Sequence, residues 1–328
     1  MKILIVLHHR FELWIAPPWF TGRLRHEFPS IEITQLSDYQ GIEEQIRDAE
    51  VVVTWSLRPE QLRAAAKLRW IHSTAAAVHA LMSPELVQSD VVVTNAREVH
   101  GPVVAEHAIA LMFAMAKQIP MAVRAQNQRL WAQGGISRAT VPARELRDST
   151  LGLIGVGSIG RAVARQAAAL GMRVLALREH PENGSAEGVA ELFGPADLDH
   201  LLRVSDYVIV AAPLTEETSS MIDSTRFAHM KSSACLINVS RGALIDENAL
   251  IQALRQKKIG AAALDVFENE PLPAESPLWD MENVLITPHT AGVTDKLWER
   301  QYTLFSENLR RFLAGQPLRD VVDKQKGY

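Results

Sequence analysis

The run Gly155-Val156-Gly157-Ser158-Ile159-Gly160 restricts the architecture of this chain more than any other stretch of it. It follows the apolar segment Leu151 to Ile154 and leads into the alanine-rich segment Arg161 to Leu170, so it reads as a turn from a buried strand into a helix. Three glycines at this spacing have three uses. The first permits the tight turn, the second lets the backbone come close to a pyrophosphate, and the third lets the helix lie against the strand, while the helix N-terminus supplies N–H donors and a positive dipole end. With strand before and helix after, the triplet is a dinucleotide-binding fingerprint rather than a structural turn. No Gly-Lys-Ser/Thr ending follows it, which argues against a nucleoside-triphosphate site.

A strand feeding a helix through such a turn belongs to a parallel sheet covered on both faces, and the rest of the chain carries the same alternation. β-Branched runs recur at Ile3 to Leu7, Ile31 to Leu36, Val51 to Trp55, Trp70 to Ser73 and Val91 to Thr94, with helix-like segments at Gly41 to Asp48 and Pro59 to Lys67. A second series has strands at Leu151 to Ile154, Arg173 to Leu177, Tyr207 to Ala211, Ala234 to Asn238, Gly260 to Asp265 and Val284 to Thr287, and helices at Arg161 to Leu170 and Glu247 to Gln256. At 328 residues two folding units are expected, both α/β with doubly wound parallel sheets. Gly101-Pro102 opens a segment, Val103 to Lys117, that is apolar on nearly every face in its later part and must be covered by a domain or by another subunit. From Gln118 to Ser149 the chain is more polar, broken by Gly134-Gly135 and Pro142, and reads as a connecting arm. Thr294 to Ala314, stopped by Gly315, reads as a long amphipathic helix.

Charge and composition narrow the function. Lysine plus arginine is 34 against 38 aspartate plus glutamate, a net charge of −4 with no long single-sign block, so nucleic-acid binding through a basic face is not expected. Ile3 to Leu7 ends at His8-His9-Arg10, too short for the apolar part of a signal peptide. No stretch approaches the roughly eighteen uninterrupted apolar residues of a membrane span, so no membrane contact is expected. The single cysteine, Cys235, cannot form an internal disulfide, which fits a cytoplasmic setting. His8-His9, His72/His79 and His100/His107 lack metal-ligand spacing, and no metal is expected. Val156 stands where a nucleophile elbow has its first glycine, so Ser158 belongs to the phosphate loop. Most of Trp14, Trp19, Trp55, Trp279 and Trp298 are read as packing residues.

Where an NAD site places an acidic residue for the ribose 2′-hydroxyl, this chain reads Leu177-Arg178-Glu179. A guanidinium there can fork onto a 2′-phosphate, which favours NADP. The alternative is that Arg178 is a solvated strand-end charge and Glu179 reaches the ribose hydroxyls of NAD. Three more strand ends in the same half carry Asn238-Val239-Ser240-Arg241-Gly242, Asp265 through Glu270-Pro271, and Thr287-Pro288-His289-Thr290-Ala291-Gly292. Ligands collect at the carboxyl ends of parallel strands, so these loops should converge on the nicotinamide end of a dinucleotide. Hydride delivery to a 2-oxo acid leaves negative charge on the former carbonyl oxygen, and an imidazole is suited to supply the proton, which selects His289. Glu270 can orient that ring, and Arg241 can fork onto a substrate carboxylate and polarise the carbonyl.

These motifs, together with Ala212-Pro213-Leu214-Thr215-Glu216-Glu217-Thr218, Val104-Ala105-Glu106-His107, the stretch Asn238 to Asp246 and the closing Gly327-Tyr328, resemble the D-isomer-specific 2-hydroxyacid dehydrogenase family over nearly the whole chain. The resemblance implies a catalytic trio of Arg241, Glu270 and His289. It implies cofactor contacts from Gly155, Gly157, Ser158, Ile159 and Gly160, from Arg178, Pro213 and Thr218, from Val239, Ser240 and Arg241, from Asp265 near the nicotinamide amide, and from His289, Ala291 and Gly292. It implies a small 2-oxo or 2-hydroxy acid as substrate, NADP or NAD as cofactor, and a cleft that closes over the substrate. A Rossmann cofactor domain, residues 98–293, would be inserted into a flavodoxin-like substrate domain made of residues 1–97 and 294–328, with a homodimer formed through an arm near 102–149. Ser73-Thr74-Ala75-Ala76-Ala77-Val78-His79 departs from the family's Gly-Ala-Gly loop by carrying alanine at both glycine positions. The N–H groups of Ala76 and Ala77, expected to bind the substrate carboxylate with Arg241 and His289, would then sit in a loop that is less strained or narrower. The same scaffold also resembles dinucleotide-sensing transcriptional corepressors, which is the rival reading.

Overall fold

The computed structural model describes residues 1–9, 11–139 and 142–327, with Asn183 in its backbone only. Arg10, expected just past the first strand, and Tyr328 of the closing pair lie outside the described residues. The chain divides into two compact units, one of residues 1–100 and 294–328, the other of residues 101–293.

In the first unit five strands, β1 (Lys2–Val6), β2 (Glu32–Leu36), β3 (Val51–Thr54), β4 (Trp70–His72) and β5 (Val92–Thr94), pair in parallel in the order β2-β1-β3-β4-β5. This is the flavodoxin-like order. The strands are apolar on both faces because both faces are covered. Ile3 and Ile5 of β1 join Phe20, Trp70 and Phe305, whereas Leu4 and Val6 join Ile42, Ile46 and Ile71. Phe305 belongs to the helix Leu297–Leu313 and stacks on Trp70 at 5.3 Å between ring centres, so the last helix of the chain completes the core of its first sheet.

In the second unit seven strands pair in parallel: β6 (Thr150–Ile154), β7 (Arg173–Leu177), β8 (Glu191–Phe193), β9 (Tyr207–Val210), β10 (Cys235–Asn238), β11 (Ala261–Leu264) and β12 (Val284–Ile286). Their order, β12-β11-β10-β9-β6-β7-β8, reverses direction between β6 and β9, as in a doubly wound dinucleotide-binding sheet. Alternation again splits each strand between two cores, with Val208 and Val210 on one face and Tyr207 and Ile209 on the other.

The helix expected from Pro102 begins earlier, at Arg97, and runs to Ala116 with Pro102 inside it. Val99 and His100 both donate to the Ala96 carbonyl, so the turn ahead of the proline closes without it and Pro102 forfeits only the bond to Glu98. By length and mean composition this helix is apolar enough to cross a membrane, although charged residues and histidines interrupt its apolar run, and 56% of its apolar window is buried inside the protein. Ala105, Ala108 and Met112 share a core with Leu151, Leu153 and Ile209, while Phe113 is exposed. The stretch read as a polar arm contains two helices, Ile119–Asn127 and Gln133–Ser137.

Candidate active site

Because all strands of the second sheet run the same way, the loops at their carboxyl ends share one edge, and every residue of this unit expected at a ligand lies on it. Gly155 follows β6, Arg178 follows β7, Pro213 and Thr218 follow β9, Val239, Ser240 and Arg241 follow β10, Asp265 and Glu270 follow β11, and His289, Ala291 and Gly292 follow β12. The loops are tied to one another. Ser240 Oγ, beyond β10, donates to the Ala212 carbonyl beyond β9, and within that second loop Thr218 Oγ1 donates to the Pro213 carbonyl at 2.8 Å. At Gly242 a Cβ would meet the Phe267 carbonyl carbon at 1.9 Å, so only glycine lets the loop bearing Arg241 approach the loop bearing Glu270.

The phosphate loop has the shape a dinucleotide needs. Gly155 has φ +98°, and a Cβ there would meet the Ala211 carbonyl oxygen at 2.6 Å. A Cβ on Gly160 would meet the Gly155 carbonyl oxygen at 2.0 Å, which keeps the helix Ser158–Ala169 tight against the turn. Gly157 is different: nothing lies within 4 Å of its absent Cβ. Open space beside the N-terminus of a twelve-residue helix fits an approaching pyrophosphate. The helix starts at Ser158 rather than Arg161, which places Ser158, Ile159 and Gly160 in its first turn.

Arg241, Glu270 and His289 come together. His289 Nδ1 lies 2.6 Å from Glu270 Oε2, and the Phe267 N–H donates to Glu270 Oε1 at 3.0 Å. An ionised carboxylate only accepts, so Nδ1 carries the proton and Nε2 is left for chemistry. Burial alone would raise the Glu270 carboxyl, but the hydrogen bonds from His289 and Phe267 and the nearby charges of His289 and Arg241 hold it below its usual range. Burial lowers the Arg241 guanidinium from its usual value, and the Glu270 carboxylate opposes that shift. Arg241 Nη1 also donates to the Ser240 carbonyl.

His289 has φ +54°, an uncommon conformation for a side-chain-bearing residue, and Asp265 is what holds it. The Asp265 carbonyl accepts the His289 N–H at 2.9 Å. Its carboxylate, fully buried, accepts from Thr287 Oγ1 at 2.6 Å and from the N–H groups of Thr290 and Ala291 at 2.9 Å each. Thr287 Oγ1 in turn lies 3.0 Å from His107 Nε2, which is 3.5 Å from Asp265 Oδ1. Both Asp265 oxygens are therefore engaged in shaping the loop that carries His289.

The family model described as "D-isomer specific 2-hydroxyacid dehydrogenase, NAD binding domain" matches residues 109–291, more than half of the chain. The chain belongs to the D-isomer-specific 2-hydroxyacid dehydrogenase family. It is similar to the D-3-phosphoglycerate dehydrogenase of Methanocaldococcus jannaschii, 32% identical over 305 residues that make up 92% of this chain and 57% of that protein. To the glyoxylate reductase of Korarchaeum cryptofilum it is 33% identical over 285 residues, 86% of this chain and 85% of the other. It thus spans little more than half the length of the first relative and most of the second. Among solved structures, the D-isomer specific 2-hydroxyacid dehydrogenase from Xanthobacter autotrophicus Py2 in complex with NADPH and MES superimposes with a TM-score of 0.84 at 30% identity, over 100% of this chain and 99% of that one.

The matched model is described as an NAD binding domain, which supports a nicotinamide dinucleotide as the cofactor. Arg178 ends β7 half-exposed, its backbone N–H donating to the Phe193 carbonyl at 3.1 Å and its guanidinium without a partner among the described residues. Glu179 lies 3.4 Å from His180. Ala76 and Ala77 lie in the loop after β4 of the first unit, where no residue from 73 to 79 has positive φ, so the alanines stand there unstrained. Among the described residues no group of three or more His, Cys, Asp or Glu could hold a metal. Sequence reasoning missed Thr287 and His107 as supports of Asp265. The signal lay in the parallel register of β11 and β12, Leu264 beside Ile286, which carries Asp265 to Thr287 one residue on.

Proposed function

We propose that this protein is a 2-oxo acid reductase that works reversibly as a D-2-hydroxyacid dehydrogenase, with NADP preferred over NAD and small or medium substrates such as glyoxylate or hydroxypyruvate. The observation that carries the reading is the 2.6 Å bond from His289 Nδ1 to a Glu270 carboxylate that also feels the Arg241 charge. When bound, the dinucleotide supplies the hydride in the reductive direction. His289 gives a proton from Nε2 to the oxygen on which charge accumulates, and Glu270 fixes the tautomer and orientation of the ring. Arg241 forks onto the substrate carboxylate and polarises the carbonyl.

The Arg178 guanidinium, without a partner among the described residues, the pairing of Glu179 with His180, and the NADPH bound by the Xanthobacter relative support the NADP preference. A homodimer through the segment 102–149 is supported by the exposure of Phe113, Ile119, Val123, Leu130 and Trp131. A cytoplasmic setting is supported by the lone Cys235, buried, its thiol pushed up to about 12 by burial. The test is oxidation of NADPH and NADH across a panel of 2-oxo acids, for the native protein and for His289→Ala. Turnover of at least one acid is expected, several-fold faster with NADPH, and His289→Ala should lose about two or more orders of magnitude while still binding cofactor. No turnover on a broad panel, with tight cofactor binding, would make the protein a dinucleotide sensor instead. Faster oxidation of NADH would reverse the assignment of Arg178.

A further inference from the structure

From Gly101 onward the helix Arg97–Ala116 belongs to the second unit, and it touches that unit's ligand edge at two places. The first is Gly101. Glycine inside a helix is less favourable than alanine, so a buried helical glycine calls for a reason. Here the reason is Ser158. A Cβ on Gly101 would collide with Ser158 Oγ and stand 3.0 Å from its Cβ and 3.1 Å from its carbonyl carbon. The missing side chain lets the long helix lie against the first turn of the phosphate-binding helix Ser158–Ala169.

The second place is His107, six residues or about 9 Å further along the helix. Thr287 Oγ1 has one proton and donates it to Asp265 Oδ1 at 2.6 Å. It has none left for the imidazole 3.0 Å away, so His107 Nε2 carries the proton between them and the hydroxyl accepts it. Donation therefore runs one way, from imidazole to hydroxyl to carboxylate. Without the first donor the hydroxyl is free to rotate and to share its proton elsewhere. At the end of this chain the Asp265 carboxylate accepts the N–H groups of Thr290 and Ala291, and its carbonyl accepts the His289 N–H. Those bonds keep His289 at φ +54°. We propose that Gly101 and His107 are positioning residues for the reaction: through one helix, Gly101 seats the phosphate-binding turn, and His107 holds the loop of His289 by way of Thr287 and Asp265. The proposal rests on the 2-oxo acid reading given above.

Its test uses the full-length protein with His107→Leu, which removes the donor, His107→Gln, which keeps an N–H at similar reach, and Gly101→Ala. Steady-state kinetics with NADPH are measured beside fluorescence titration of NADPH. His107→Leu should lower kcat about fivefold or more, the factor that one hydrogen bond of ordinary net strength corresponds to, with NADPH affinity within about twofold of native. His107→Gln should recover most of that loss. Gly101→Ala should weaken NADPH binding by about fivefold or more. A folded His107→Leu with native kcat, a His107→Gln as slow as His107→Leu, or a folded Gly101→Ala with native NADPH affinity overturns the assignment while leaving the enzyme reading intact. If His107→Leu does not fold, Thr287→Val, which deletes the hydroxyl, and Thr287→Ser, which keeps it, carry the same comparison; if Thr287→Val does not fold either, the pair is structural and the inference fails. Should the native protein turn over no 2-oxo acid, the enzyme reading fails by itself. The nuclear magnetic resonance signal of the His289 ring, assigned by its loss in His289→Ala, then decides: it should move in His107→Leu and return in His107→Gln, and an unmoved signal overturns the assignment.

Discussion

His289 and His72 follow or end parallel strands, yet their surroundings differ. The His289 side chain is half exposed and hydrogen-bonded to a carboxylate at the sheet edge. His72 is fully buried beside Trp70 and Phe305, its Nδ1 2.9 Å from Thr94 Oγ1 and its Nε2 without a partner among the described residues. Burial pushes its imidazolium down from 6.5 to about 3. The folded protein thus keeps His72 neutral at a pH where the unfolded chain protonates it. Its contribution to stability is complete above pH 6.5 and is lost as the pH falls, at about 1.4 kcal/mol per unit until about pH 3. Urea unfolding of native protein and His72→Asn between pH 7.5 and 4.5 should show the native protein losing stability faster below 6.5 by about that slope. Parallel losses would mean that His72 takes up its proton within the folded state.

At the scale of strands and loops, the glycines separate what serves the fold from what serves the ligand. Gly157 has an extended backbone open to any residue and empty space at its Cβ, so Gly157→Ala should leave stability within about 0.5 kcal/mol of native while NADPH affinity drops several-fold. Gly242 faces the Phe267 backbone at 1.9 Å, so Gly242→Ala should cost about 1–3 kcal/mol or more and turnover as well, because the loops of Arg241 and Glu270 must part. Thermal melts and fluorescence titration of NADPH, run on both variants, check the pair; a destabilised Gly157→Ala would show that the space at that position is needed by the fold. The same contrast explains what was legible in the sequence. Buried parallel strands announce themselves as apolar runs, and a strand-end loop carries its motif in consecutive residues, so both sheets and the residues on the second sheet's edge could be read directly. β8, three residues at a sheet edge, has no such run, and the turn at Arg97 is hidden because Pro102 looks like a helix start. The supports of Asp265 depend on the register between β11 and β12, and nothing local in the chain encodes them.

For the molecule as a whole, the segment from Phe113 to Trp131 stands apart. Phe113 is 36% exposed, Ile119 48%, Val123 47%, Leu130 60% and Trp131 91%, all on the helix Arg97–Ala116 and the stretch that follows it. Exposed apolar side chains scattered singly need no explanation, but five large ones within twenty residues are what the proposed homodimer would cover. A two-fold axis would set this segment against its own copy, the arrangement in which one self-complementary surface suffices. Sedimentation at tens of micromolar should therefore give twice the chain mass, and Val123→Glu combined with Trp131→Glu should give the single chain, since buried like charges facing each other across the axis are costly. Substitutions at such exposed positions change the folded monomer by about 0.5 kcal/mol or less, so dissociation is distinguishable from unfolding: the far-ultraviolet circular dichroism of the variant should match that of the native protein. A single-chain mass for the native protein, or a dimer indifferent to both charges, would mean that this surface does not join two copies and that its exposed side chains must be explained in another way.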